Sequence, residues 1–106
     1  MIRFIQVMVL AAVLCLTAAA AYAQGAGIEW QILNREAMEL YRAGNYDRAI
    51  VVTKKALEVA EKKVGPNHPD VATSLNNLAG LYRATNRVAE AAKLEERAAR
   101  IRAIKR

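Results

Sequence analysis

Cysteine is almost missing from this chain, which carries one, Cys15, among 106 residues. Cys15 lies in an apolar stretch near the N-terminus, so everything after it is without disulfides or thiolate metal sites. Histidine is equally scarce. His68 stands alone, with no second histidine or cysteine to share a metal or form a catalytic pair. Its expected role is to hold a turn. Of the two prolines and five glycines, none forms a glycine-rich phosphate loop. No activated nucleophile is present, and the acids are mostly glutamates spaced along helix surfaces. Alternating strand patterns are absent as well. These absences point to an all-α protein that is not an enzyme and needs no cofactor.

What the chain has in excess is apolar and positive. The 55% hydrophobic content is concentrated at the N-terminus, where Arg3 precedes an apolar run over 4–16 interrupted only by Gln6. Small residues then lead to Ala21, Tyr22 and Ala23, an A-x-A pattern that a signal peptidase cuts before Gln24. Residues 1–23 are therefore read as a signal peptide, with an N-terminal membrane anchor as the alternative, since the run approaches the ~20 residues that span a bilayer. Lipid attachment is disfavoured because Leu14 precedes Cys15 where a small residue is needed. The expected location is exported, periplasmic or secreted, with the alanine-rich signal leaning towards a bacterial periplasm. Residues 24–27 read as a flexible leader. The remainder forms one small domain without staples, expected to be marginally stable.

The net charge of +6 gathers at the C-terminus in Arg97, Arg100, Arg102, Lys105 and Arg106. Such a run suits an anionic surface. It also suits the negative end of a helix dipole, and Glu96 is placed to pair with Arg100 one turn on. The second reading is preferred, and nucleic acid is not an expected partner.

The body of the chain is a duplication. Asn34 and Asn76 match, as do Ala37 and Ala79, Ala49 and Ala91, Ala56 and Ala98, at one fixed interval of 42 residues, 34 to 76. Self-similarity of this period marks a repeat array whose units bury their apolar faces by stacking. The first helix is expected over 28–43 on Leu33, Ala37, Leu40 and Tyr41, stopped by Gly44. Asn45 is placed to cap a second helix reaching residue 64 on Tyr46, Ala49, Ile50, Ala56, Leu57 and Ala60. Gly65 and Pro66 break the chain, and Asn67 with Asp70 forms a capping-box-like start for the third helix. That helix carries Val71, Leu75, Leu78, Ala79 and Tyr82 and ends near Asn86, which stands where Gly44 stands. A fourth helix is expected over 88–104.

The second unit, GPNHPDVATSLNNLAGLYRATNRVAEAAKLEERA, and the first, LYRAGNYDRAIVVTKKALEVAEKK, resemble the tetratricopeptide repeat, in its longer kinesin-light-chain-like variety. The resemblance implies two tandem helical hairpins, about 28–64 and 68–104 within a domain of 28–106. Each would pair two antiparallel helices, and the pairs would stack in a right-handed superhelix, with the first helix of each hairpin lining a concave groove. Departures are informative. Glu36 replaces an apolar residue, Glu95 stands where an aromatic is common, and Ala99 where Leu57 predicts leucine, so both ends read as polar caps. Two repeats fall short of the ~3 usually needed for stability, which makes a homo-oligomer an alternative way to complete the stack.

By matched position, the resemblance nominates Gln31, Asn34, Met38, Tyr41 and Arg42, then Thr73, Asn76 and Arg83, as groove residues that grip a peptide or protein segment. Asn34 and Asn76 lead, because an amide carries donors and an acceptor and pairs with a peptide backbone regardless of its side chains. Arg42 and Arg83 would attract carboxylates. Asn77 is expected to turn towards the neighbouring helix. Trp30 is expected to cover the open end of the first helix.

Overall fold

The structure, a computed structural model, describes residues 25–104. The expected signal or anchor at 1–23, and Lys105 and Arg106 of the basic tail, lie outside the described residues. Four helices occur in order: α1 (Gly27–Arg42), α2 (Tyr46–Val64), α3 (Pro69–Ala84) and α4 (Val88–Arg102). Each packs on the next, α1 on α2, α2 on α3 and α3 on α4. Among the described residues no strand occurs, and no helix is long and apolar enough to cross a membrane.

The duplication is visible in the turns. Gly44 (φ 79°) and Asn86 (φ 63°) both enter the left-handed region, where glycine fits freely and asparagine is the next best tolerated residue. Asn45 N–H donates to Leu40 O at 2.9 Å and Arg87 N–H to Tyr82 O at 2.7 Å, the same helix-closing bond one repeat apart. Asn45 does hold the N-cap position of α2, but its side chain makes no cap bond. The start of α3 also differs from the expected capping box. His68 is the N-cap, its Nδ1 accepting from Asp70 N–H at 3.0 Å, while Asp70 Oδ2 accepts from Ala26 N–H at 2.9 Å.

That last bond overturns the flexible leader. Ala26 is fully buried, and Gly25 (φ 66°) lies so close that an added Cβ would collide with the Asp70 carboxylate. Trp30 does likewise. Rather than closing an outer end, it packs on the core of the second repeat and donates from Nε1 to Ser74 Oγ at 2.8 Å. Two bonds across 44 residues thus strap the start of α1 to α3.

All six of the paired alanines, Ala37, Ala49, Ala56, Ala79, Ala91 and Ala98, are buried. Small side chains there let helix axes approach, and Leu75, Val71, Leu78 and Tyr82 fill the spaces between. Arg87 stacks on the Tyr82 ring at 4.2 Å to the centroid, a cation–π contact. The basic C-terminal helix is partly neutralised within the fold. Arg97 meets Glu61 at 3.3 Å, and Arg100 meets Glu96 at 3.0 Å as the one-turn spacing predicted. Ile28, Ile32 and Val51 remain exposed at 64%, 54% and 65%, so the first hairpin keeps apolar surface uncovered.

Candidate functional site

A cleft of about 250 Å³ opens between α1 and α3. Asn34, Ala37, Met38 and Tyr41 of α1 form one wall, and Asn76, Asn77, Gly80 and Leu81 of α3 the other. Thr53 of α2, fully buried, closes it from behind. The walls arise from helical geometry, because residues three and four apart share a face. The space beside Gly80 is open, and a Cβ there would meet nothing within 4 Å.

Of the eight groove residues nominated by matched position, Asn34, Met38, Tyr41 and Asn76 line this cleft. The other four do not. Gln31 is exposed on α1. Thr73 Oγ1 donates to Pro69 O at 3.2 Å within its own helix. Arg42 Nη2 donates to Met38 Sδ at 3.5 Å, bringing a cation to the rim of the cleft. Arg83 is already engaged: its Nε and Nη2 donate to Glu95 of α4 at 2.6 and 3.0 Å. Asn77, expected to turn towards the neighbouring helix, also lines the cleft.

The Arg83–Glu95 pair explains one departure from the repeat pattern. Glu95 stands where an aromatic is common, and the two-point ion pair ties α3 to α4 in its place. Hydrogen bonding from Arg83, and secondarily its charge, holds the Glu95 carboxyl below the ordinary carboxylate value. Arg87 acts on Glu90 in the same direction. A depressed folded-state pKa stabilises the fold above the unfolded value near ~4.3, and that contribution is lost as pH falls through the lower folded value. Melting temperature should therefore drop as pH is lowered from about 5 towards 3. Glu95→Gln should flatten part of this drop in circular-dichroism melts, modestly, because both partners are half exposed. An unchanged pH profile in Glu95→Gln would show the pair to be energetically idle.

One repeat earlier, the same two positions are Tyr41 and Thr53, 42 residues before Arg83 and Glu95. Here nothing bridges them. Tyr41 instead packs on Tyr46, ring centroids 5.3 Å apart, and Thr53 Oγ1 is buried without a hydrogen-bond partner. Asn34 Oδ1 is likewise buried and unpaired. Position matching passed over Thr53 because it belongs to the rear helix of the hairpin. Its signal is the alignment with Glu95, a small polar residue where a ring is common, which leaves an opening. The cleft is where the second repeat's ion pair is missing from the first.

Comparison with known proteins fits this architecture. The chain is 41% identical over 61 residues to an RxLR effector protein of Phytophthora infestans, covering 58% of this chain and 18% of that protein. It is 39% identical over 59 residues to a secreted RxLR effector protein of Plasmopara halstedii, covering 56% of this chain and 18% of the relative. The chain thus spans less than a fifth of the length of these curated relatives. The family model described as tetratricopeptide repeat matches residues 31–103, which takes in nearly all of the four helices. With duplicated hairpins, paired alanines and matching turns already in view, the chain belongs to the tetratricopeptide repeat family.

Proposed function

We propose that this chain is an exported, non-enzymatic adaptor that holds a peptide or protein segment in the groove between α1 and α3. The observation that carries the reading is the cleft itself, walled by Asn34 and Asn76. Amides one repeat apart carry donors and acceptors suited to the backbone of an extended segment lying along the groove. The family membership supports a protein-binding role, since tetratricopeptide repeats present such grooves. The kinesin-light-chain-like variety is supported by the 42-residue interval that recurs in the Gly44 and Asn86 turns. Export is supported by the A-x-A pattern ahead of Gln24 and by the secreted relative.

The test is capture of a partner from extracts of the source cell or its surroundings. Asn34→Ala combined with Asn76→Ala should weaken capture by about 100-fold, because each lost amide leaves a backbone group of the bound segment unpaired. Far-UV circular dichroism should be unchanged. Full capture by the double variant would remove the groove from the reading.

A second reading has an observation of its own. Ile28 and Ile32, one helical turn apart on α1, are more than half exposed, as is Val51 on α2. Such a surface suits a further repeat or a second copy that extends the stack. Light scattering decides it, and a strict monomer at high concentration would count against it.

A further inference from the structure

Within the chain the first hairpin docks on one face of the second. Leu57 and Ala60 of α2 pack in one cluster with Val71 and Leu75 of α3, and Asp70 and Ser74 of α3 take the strap from α1. Shifting this junction by the 42-residue interval identifies the residues at the two open ends. On α1, Ile28, Glu29, Ile32 and Leu33 stand where α3 has Asp70, Val71, Ser74 and Leu75. On α4, Ala99 and Arg102 stand where α2 has Leu57 and Ala60. Ile28, Glu29, Ile32, Ala99 and Arg102 are all exposed. The departures are matched. Glu29 replaces Val71 and Glu36 replaces Leu78 at the α1 end, while Arg102 replaces Ala60 at the α4 end. One open face has become acidic and the other basic. Among the described residues, Glu29, Glu36 and Arg102 enter no ion pair. Ala99 is smaller than Leu57 and Ile32 larger than Ser74, so side-chain volume lost on one face returns on the other.

Resting on the second reading above, that a further unit covers the open face of α1, we propose that this unit is a second copy of this chain, docked head to tail. The α4 face of one copy meets the α1 face of the next as α2 meets α3 within the chain, with Arg102 opposite Glu29. Charge complementarity fixes the orientation, because the reverse pairings set like charges together. A heterologous contact of this kind leaves a free face at each end, so the stack adds copies rather than stopping at two. The groove continues with it. Asn76 of one copy and Asn34 of the next copy take up the relation that Asn34 and Asn76 have within the chain.

Sedimentation velocity over a concentration series at low salt tests this. The unsubstituted protein should associate beyond a dimer, and added salt should weaken the association. Arg102→Glu and Glu29→Arg should each weaken it about tenfold, since either substitution alone sets like charges face to face. Both positions are exposed, so far-UV circular dichroism should show the fold retained. An equimolar mixture of the two variants should recover association, because every junction between unlike copies again joins opposite charges. Association that neither substitution weakens, or that the mixture does not restore, overturns the head-to-tail register alone. The open face of α1 would then be covered in another way, such as a symmetric contact between two α1 helices. A strict monomer at high concentration overturns the register and counts against the reading beneath it.

Discussion

Replacing Leu75 with alanine is expected to lower the unfolding free energy by about 3–5 kcal/mol, the upper part of the range for a buried Leu→Ala change. Leu75 is the largest fully buried side chain of the domain. It sits on α3 in a cluster with Ala26 before α1, Ala60 on α2, and Ala98 and Ile101 on α4. Alanines surround it on several sides, and small side chains on fixed helices cannot move inward to fill a cavity. The loss is serious because a domain of this size has roughly 4–12 kcal/mol in all. The repeat supplies its own control. Leu33 is the same residue one repeat earlier, yet it is only partly buried, because among the described residues no hairpin packs over that face of α1. Leu33→Ala should cost less than half as much. Urea denaturation monitored by far-UV circular dichroism separates the two variants, and equal midpoints would mean that the second hairpin is not held as described.

Trp30→Ala should be nearly as damaging, at about 3 kcal/mol, but through α1 rather than through the core as a whole. Two effects combine. The ring leaves the cluster around Leu75 and Val71, and Ser74, which is fully buried, loses the indole N–H that its hydroxyl accepts. A buried hydroxyl stripped of its partner costs about 1–3 kcal/mol, and removing a partly buried indole costs the rest. Trp30→Phe keeps most of the ring and should recover part of the loss. The consequence reaches the site, since α1 supplies Asn34, Ala37, Met38 and Tyr41 to the cleft. Native-state hydrogen exchange should show α1 amides opening ahead of α3 and α4 in Trp30→Ala. Uniform protection across all four helices would contradict the strap.

Most of the fold was legible because its rules are local. Gly44 and Asn86 close helices wherever the chain needs a left-handed residue, and the alanine pairs announce close packing at one interval. The misreadings share one physical cause, which is contact between residues distant in sequence. Gly25 and Ala26 look like a leader until Asp70, far along the chain, accepts the Ala26 N–H. Trp30 looks like an end cover until Ser74 is beneath it. Arg83 matches a groove position by spacing, but a carboxylate on the next helix has already taken it. Thr53 is the converse. Its spacing assigns it to the rear helix, and only the placement of α2 behind α1 and α3 reveals that it closes the back of the cleft. The buried half of the candidate site was therefore hidden from position matching, while Asn34, Met38, Tyr41 and Asn76 were not.

Site-specific photo-crosslinking tests the central claim most directly. A benzophenone side chain in place of Met38, on the wall of the cleft, should form a covalent adduct with the partner, and the same probe at Val51, exposed on α2 and outside the cleft, should not. Adducts that form equally at both positions, or only at Val51, would contradict a partner held between α1 and α3.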